Sequence, residues 1–336
     1  MSIRKDITVI VGDIGGTNAR FAIFDGNKGT LSSIQILQCS AYADFPAMLD
    51  DYLGRIQGSM ALEKLCLAVA GPVDDDLVSL TNNNISFSKE AIMSRYVLDE
   101  LTVVNDFTAQ AMAVPFLKAF HCQTLRIGTA YENTPILVLG PGTGLGFSAL
   151  VPTESGWRPL ETEGGNVGLT AHSRDEDKLV SWLRERSEYL VAETVLSGRG
   201  LETLYTYYVE TCQAIATFKT AAEIGDAALA GNKLATQAVF QFLDSLGSYI
   251  ADSILATGAR HAVYLSGGIV PKLSSMIPKS QFYKRAGTRG IYSDYVGKVP
   301  IYLITNPYAG LLGAGYCFMS GELSHRKLFL NTPSAY

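Results

Sequence analysis

A mixed α/β fold is what the sequence predicts, and three observations predict it. The first forty residues read as a three-strand meander. Strands and amphipathic helices then alternate. Near the middle of the chain, an apolar run, a glycine-rich turn and a second apolar run come round again as they did at the start.

The meander covers Ile7 to Asp13, Ala19 to Asp25 and Leu31 to Gln38, with GGTN and DGNKG as its turns. In DFPAMLDDYLGRIQ the apolar residues Met48, Leu49, Tyr52, Leu53 and Ile56 recur at helical spacing, which gives a helix with one inward face. KLCLAVAGPV is a buried strand ended by Gly71 and Pro72, and LTVVNDF is another that passes into a helix over TAQAMAVPFLKAF. The echo of the opening is ILVLGPGTGLGFSALV, residues 136–151. Helical stretches follow in DEDKLVSWLRERSEYL, around LETLYTYYVE and in ATQAVFQFLDSLGSYIADSILATGA. The chain then returns to a strand in HAVYLSGGIVP and to a strand and glycine-spaced helix in VPIYLITNPYAGLLGAGYCFM. No low-complexity linker separates the halves, so the repeat itself puts the boundary near residues 107–116.

With 336 residues and 47% hydrophobic content, the chain can bury a sizeable core in one large domain or two. A formal charge of −5 argues against a general binder of nucleic acid or anionic membrane. The five cysteines (Cys39, Cys66, Cys122, Cys212, Cys317) include no C-x-x-C pair and read as reduced, mostly buried thiols. None of the four histidines has zinc-ligand spacing, so a metal here would be a hard, oxygen-bound ion. There is neither a signal-peptide pattern nor an apolar run of about twenty residues. The expected location is the cytoplasm.

The glycine loops carry the chemistry. VIVGDIGGTNARFAIFD lacks the lysine of a P-loop, and the strand after its turn rules out a loop that opens a helix. Gly144-x-Gly146-x-x-Ala149 is a loose dinucleotide match that fails for the same reason, because Ser148 to Val151 continues as a strand. Two hairpins of this kind can instead offer backbone N–H groups to a polyphosphate from two sides of a crevice, which suits ATP. Asp13, just before Gly15, Gly16, Thr17 and Asn18, is placed to orient Mg²⁺ or its waters, while Thr17 and Asn18 can donate to phosphate oxygens.

Asn105 and Asp106 mark a strand-to-helix junction, where ligands gather outside carboxyl ends of strands. A carboxylate there can take the proton of an attacking hydroxyl; on spacing alone, a plain helix cap at Asp106 or Thr108 explains it equally well. Glu163 in ETEGGNVG and Glu193 in VAETVLSGRG supply the acceptors that a polyol needs, although spacing alone favours a solvated helix face for Glu193. Ser266, Gly267 and Gly268 form a turn where a flat base or ribose could approach the backbone, or simply a tight turn.

Seven blocks, VGDIGGTNARFAIFD, VVNDFTAQAMAVP, GPGTGLG, EGGNVG, AETVLSGRGL, LSGGIVP and NPYAGLLGAG, occur in the order seen in bacterial glucokinases, and the similarity runs over essentially the whole chain. The resemblance implies an ATP-dependent hexose kinase of the sugar kinase, Hsp70 and actin superfamily, with two ribonuclease-H-like lobes around a central cleft and often a homodimer. It implies a small lobe of residues 1–115 plus 307–336 and a large lobe of 116–306. By motif position it implies Asp106 as catalytic base and Asn105, Asp106, Glu163, Asn166 and Glu193 as sugar ligands. The loop Asp13 to Asn18 and the loop Gly142, Thr143 and Gly144 resemble the family's phosphate loops, and Ser266 to Gly268 its adenosine loop.

Two departures qualify the match. Asn166 stands where the family usually has a histidine against the sugar; an amide is shorter and does not titrate, which opens the question of strict glucose preference. Ile85 stands where the family often has an aromatic residue. The cysteine-rich zinc motif of the related repressor, open-reading-frame and kinase branch is absent. The rivals are a kinase for another hexose or amino sugar, a non-catalytic sugar sensor, and an actin-like or chaperone ATPase. A repressor would carry a helix-turn-helix before the first strand, where about six residues stand.

Overall fold

The computed structural model describes residues 7–56, 62–80, 85–154 and 156–329. Its contacts divide the chain into two compact units: unit 1 comprises Met1–Ala119, Pro152–Glu161 and Asn306–Tyr336, and unit 2 comprises Phe120–Val151 and Thr162–Thr305.

The opening meander is β1 (Thr8–Ile14), β2 (Asn18–Asp25) and β3 (Thr30–Gln38), all antiparallel neighbours. Helix α1 (Phe45–Arg55) starts where Asp44 accepts from the Ala47 N–H at 2.8 Å and Pro46 fixes the first turn, a cap of about 1 kcal/mol. Its inward face, Phe45, Met48, Leu49 and Tyr52, is buried, with Tyr52 stacked on Phe21 at 5.1 Å between ring centroids. The chain continues through β4 (Lys64–Val69), the small hairpin of β5 (Leu77–Ser79) and β6 (Ser86–Ser88), and α2 (Lys89–Tyr96). Next come β7 (Glu100–Asn105) and α3 (Asp106–Ala113). The last is shorter than the sequence pattern predicts: Pro115 lacks the N–H needed to go on, and a 3₁₀ turn over Val114–Phe116 replaces the helix.

Strand β8 (Cys122–Arg126) precedes the second hairpin, β9 (Ile136–Pro141) and β10 (Leu145–Thr153), followed by β11 (Gly156–Leu160). The helical stretch gives α4 (Arg174–Arg184), α5 (Gly198–Thr211), α6 (Ala221–Leu229) and α7 (Lys233–Thr257). The last begins on the Asn232 cap and stops at Gly258, whose φ of 69° is the left-handed cap that glycine adopts freely. Then come β12 (Ala262–Leu265), the short α8 (Val270–Leu273), α9 (Phe282–Gly287), α10 (Ser293–Gly297) and β13 (Ile301–Ile304). The described chain closes with α11 (Ala309–Met319) and β14 (Lys327–Phe329).

The echo in the sequence is a repeat in space. One sheet has the order β14-β7-β4-β1-β2-β3, and the other β11-β10-β9-β12-β13-β8. In each, the first strand of a glycine hairpin pairs antiparallel with the second and parallel with the next inner strand, β1 with β4 and β9 with β12. Two strands that are buried along almost their whole length, β4 and β9, show the continuous apolar runs expected of such positions. Unit 1 packs its core around Phe21, Phe45, Tyr52 and Leu67, and unit 2 around Leu139, Phe242, Leu246 and Phe282. Among the described residues, no helix is long and apolar enough to cross a membrane. All five cysteines are free thiols.

Candidate active site

Unit 1 gathers Asp13 to Asn18, Asn105 and Asp106. The turn between β1 and β2 is closed by the Gly15 N–H donating to Asn18 O at 3.0 Å and tied to the next segment by the Cys39 N–H donating to Thr17 O at 2.9 Å. Gly15 and Gly16 are partly exposed and Thr17 is exposed, so the turn offers its edge to solvent. Asp13 is held from two sides. Arg20, its direct partner across the hairpin, reaches Asp13 Oδ2 at 3.4 Å, and the start of α11 presses so close that a Cβ at Gly310 would lie 2.7 Å from that oxygen. Burial pushes the Asp13 carboxyl above its ordinary value, and the Arg20 guanidinium pulls against that rise.

Asn105 is the N-cap of α3: its Oδ1 accepts from Phe107 N–H at 2.9 Å and Thr108 N–H at 3.4 Å. Asn105 Nδ2 points to Gly71 O at 3.5 Å. The N-cap is therefore Asn105 and not Thr108; Asp106, partly exposed in the first turn of the helix, shares in that end, its Oδ1 accepting from the Phe107 N–H at 3.0 Å. A negative charge is favoured there by the unpaired N–H groups. Helix α3 in turn packs on α11 with no room between backbones, because a Cβ at Gly313 would collide with Ala109 O.

Unit 2 gathers the remaining residues. In the second glycine loop the Gly142 N–H donates to Gly144 O at 2.7 Å and the Gly198 N–H to Gly142 O at 2.8 Å. Glu193 is not on a helix face. It lies in a 3₁₀ turn over Ala192–Thr194, before α5, and its Oε2 accepts from the Leu145 N–H at 2.7 Å, beside Gly144. The turn over Gly164–Asn166 carries Glu163 and Asn166, both exposed, and packs Gly164 on the Phe147 ring and Gly165 on Leu145 O. A bridge between Gly168 and Val191, with the Ala192 N–H donating to Val167 O at 2.8 Å, knits these two acidic turns together. Ser266, Gly267 and Gly268 follow β12; Gly267 takes a φ of 85° and its backbone lies on Pro141 O, where any side chain would clash.

Each unit thus holds its own set of candidate residues. Unit 1 contributes a hairpin turn with a carboxylate and a second carboxylate on a helix start; unit 2 contributes a hairpin turn, two acidic turns and a glycine turn. Among the described residues, no group of three or more His, Cys, Asp or Glu side chains is arranged to hold a metal. The single carboxylate Asp13 fits an ion that draws most of its ligands from phosphates and water, as Mg²⁺ does.

Sequence reasoning missed Arg20, the bond from the Gly198 N–H to Gly142 O and the close approach of Gly310 to Asp13. The register of a two-glycine hairpin, which sets residue 20 opposite residue 13, is the signal that could have found Arg20. The contact of Glu193 also makes a prediction. Glu193→Ala strands a part-buried N–H and is expected to cost about 1–3 kcal/mol, read from the urea midpoint, whereas Glu193→Gln keeps an acceptor and should stay near wild type. Equal stability of the two variants would show that the Leu145 bond does no structural work.

Comparison with known proteins gives one consistent result. The family model described as Glucokinase matches residues 10–321. A glucokinase from Chromohalobacter salexigens is 38% identical over 305 residues, covering 91% of this chain and 95% of that protein. The crystal structure of a glucokinase from an Antarctic psychrotroph is 35% identical, with a TM-score of 0.81, covering 92% of this chain and 98% of that one. A ROK family glucokinase from Streptomyces griseus, solved with glucose and AMPPNP, shares the fold at a TM-score of 0.63 and 18% identity, over 92% of this chain and 98% of that one. By the extent of the family match and the identity to its relatives, this chain belongs to the glucokinase family.

Proposed function

We propose that this chain transfers the γ-phosphoryl group of ATP to the 6-hydroxyl of glucose, giving glucose 6-phosphate and ADP. The observation that carries the reading is the position of Asp106, a partly exposed carboxylate on the first turn of α3, next to a residue that already supplies the cap. In the reaction the sugar O6 attacks the γ-phosphorus, the bond to the β,γ-bridging oxygen breaks, and the hydroxyl proton passes to the Asp106 carboxylate. Asn105 Nδ2, Asn166, Glu163 and Glu193 are the proposed sugar ligands. Their mixture of donors and acceptors meets hydroxyls that each donate once and accept.

Asp13 to Asn18 and Gly142 to Gly144 are the proposed phosphate loops, and Ser266 to Gly268 the proposed adenosine turn. Asp13 would hold Mg²⁺ through water. When bound, that ion would offset charge on the nucleotide phosphates. The reading requires water to be kept out as the sugar is enclosed, because water is a competing acceptor. The proposed lobes are residues 1–115 with 307–336, and 116–306. The family resemblance supports a cytoplasmic homodimer, and the free cysteines fit a reducing compartment.

Specificity is where Asn166 enters. A panel of glucose, mannose, fructose and N-acetylglucosamine, read by coupled ADP release, is expected to give the highest kcat/KM for glucose. A higher value for any other sugar would replace glucose in this reading.

A further inference from the structure

Glu193 is fixed at both ends, and every group that fixes it belongs to unit 2. The Ser197 hydroxyl donates to its backbone carbonyl at 2.9 Å. That hydroxyl is 2% exposed and itself accepts from the Gly200 N–H at 3.0 Å as the N-cap of α5, so the backbone at 193 is tied to the start of a helix. At the other end, the carboxylate Oε2 accepts from the Leu145 N–H at 2.7 Å. A second bond joins the same two segments, from the Gly198 N–H to Gly142 O at 2.8 Å. The acidic turn and the second glycine loop are thus fastened to each other at two points.

The missing side chain of Gly144 is what admits the carboxylate. A Cβ there would lie 2.5 Å from Glu193 Oε2 and 3.2 Å from Glu193 Cδ, inside contact distance. At Gly142, in the same loop, a Cβ would meet nothing nearer than Gly144 O at 4.0 Å. Left-handed backbone explains glycine at neither position, since neither has a positive φ. What position 144 requires is space beside Glu193. A carboxylate held through one oxygen by a backbone N–H has lost rotamer freedom, and its other oxygen faces a ligand from a fixed place.

We propose that Gly144 is a positioning residue for the sugar. The loop proposed to hold phosphate also aims Glu193, by leaving room for Oε2 on the Leu145 N–H so that Oε1 accepts from a glucose hydroxyl. This role rests on Glu193 being a sugar ligand, as proposed above. Its consequence is that a change in the phosphate loop is felt by the sugar when no nucleotide is present.

The test is calorimetric titration of glucose into the full chain without nucleotide, in wild type, Gly144→Ala and Gly142→Ala. The methyl group of Gly144→Ala drives the carboxylate off the Leu145 N–H, and because the atoms in its way end a flexible side chain, the backbone can stay in place. A glucose Kd weaker by about tenfold or more in Gly144→Ala than in Gly142→Ala, the size of one lost charge-assisted bond, supports the role. A smaller difference, equal weakening of both variants included, overturns it. Wild type that binds no glucose removes the sugar reading itself, a result distinct from any difference between the variants. Should Gly144→Ala not fold, wild type carries the test: in ¹⁵N-leucine-labelled chain the Leu145 amide, identified by its loss in Leu145→Ile, shifts as glucose saturates. An amide that stays in place at saturation overturns the proposal.

Discussion

Asp106→Ala is expected to lower kcat by about 10²–10⁴-fold, the range of a lost general base, and to leave the Kd for ATP within about twofold, as expected if its interaction is with the sugar hydroxyl alone. The structure gives reason to trust such a variant. Asn105 is the N-cap of α3 and also accepts from the Phe107 N–H that Asp106 Oδ1 takes at 3.0 Å, so the substitution removes a first-turn charge worth about 0.3–1 kcal/mol, leaves that N–H an acceptor and keeps the helix. Asp106→Asn, nearly the same in shape, separates charge from size. Measured by stopped-time ADP release and by nucleotide titration, activity within tenfold of wild type in both variants would mean that Asp106 takes no proton.

The second large effect concerns stability. Gly313→Ala is expected to destabilise the protein by on the order of 4 kcal/mol or more, at the extreme end of single substitutions. The methyl group would collide with Ala109 O, and a backbone carbonyl inside a packed helix cannot turn aside as a side chain can. Helix α11 acts as a spacer in unit 1: Gly310 lies against Asp13, Gly313 against α3 below Asp106, and Gly315 against the Phe24 ring. Moving it displaces both carboxylates, so activity should fall with stability. Gly321→Ala is the control, since nothing lies within 4 Å of its Cβ position and the change should stay within about 1 kcal/mol. Equal urea midpoints for the two variants would contradict the close helix contact.

The same helix marks the limit of what the sequence discloses. Glycines at 310, 313 and 315 are visible as a spacing, but their targets, Asp13, Ala109 and Phe24, are about 200 to 300 positions away, and no local pattern names them. The hairpins were legible because their information is local: apolar runs of strand length with a glycine turn between them define both strands and turn. The end of α3 was legible in principle too, from Pro115.

Glu193 shows the difference at a single residue. Its flanks fit a solvated helix face, yet its acceptor role depends on Leu145, 48 positions earlier, whose N–H sits at the mouth of the second glycine turn. Position along the chain gave the acids as candidates; only the sheet order brings Glu163, Glu193 and Gly144 to one end of unit 2. Arg20 lies between these cases, one hairpin register away from Asp13.

The central claim is that the chain spends ATP on a sugar hydroxyl and not on water. Incubation with ATP, Mg²⁺ and glucose, followed by ³¹P NMR of the whole mixture, tests it most directly. The account predicts ADP and glucose 6-phosphate in equal amounts, with ADP release negligible until glucose is added. ADP and inorganic phosphate formed without glucose, or a phosphate on any oxygen other than O6, would contradict it.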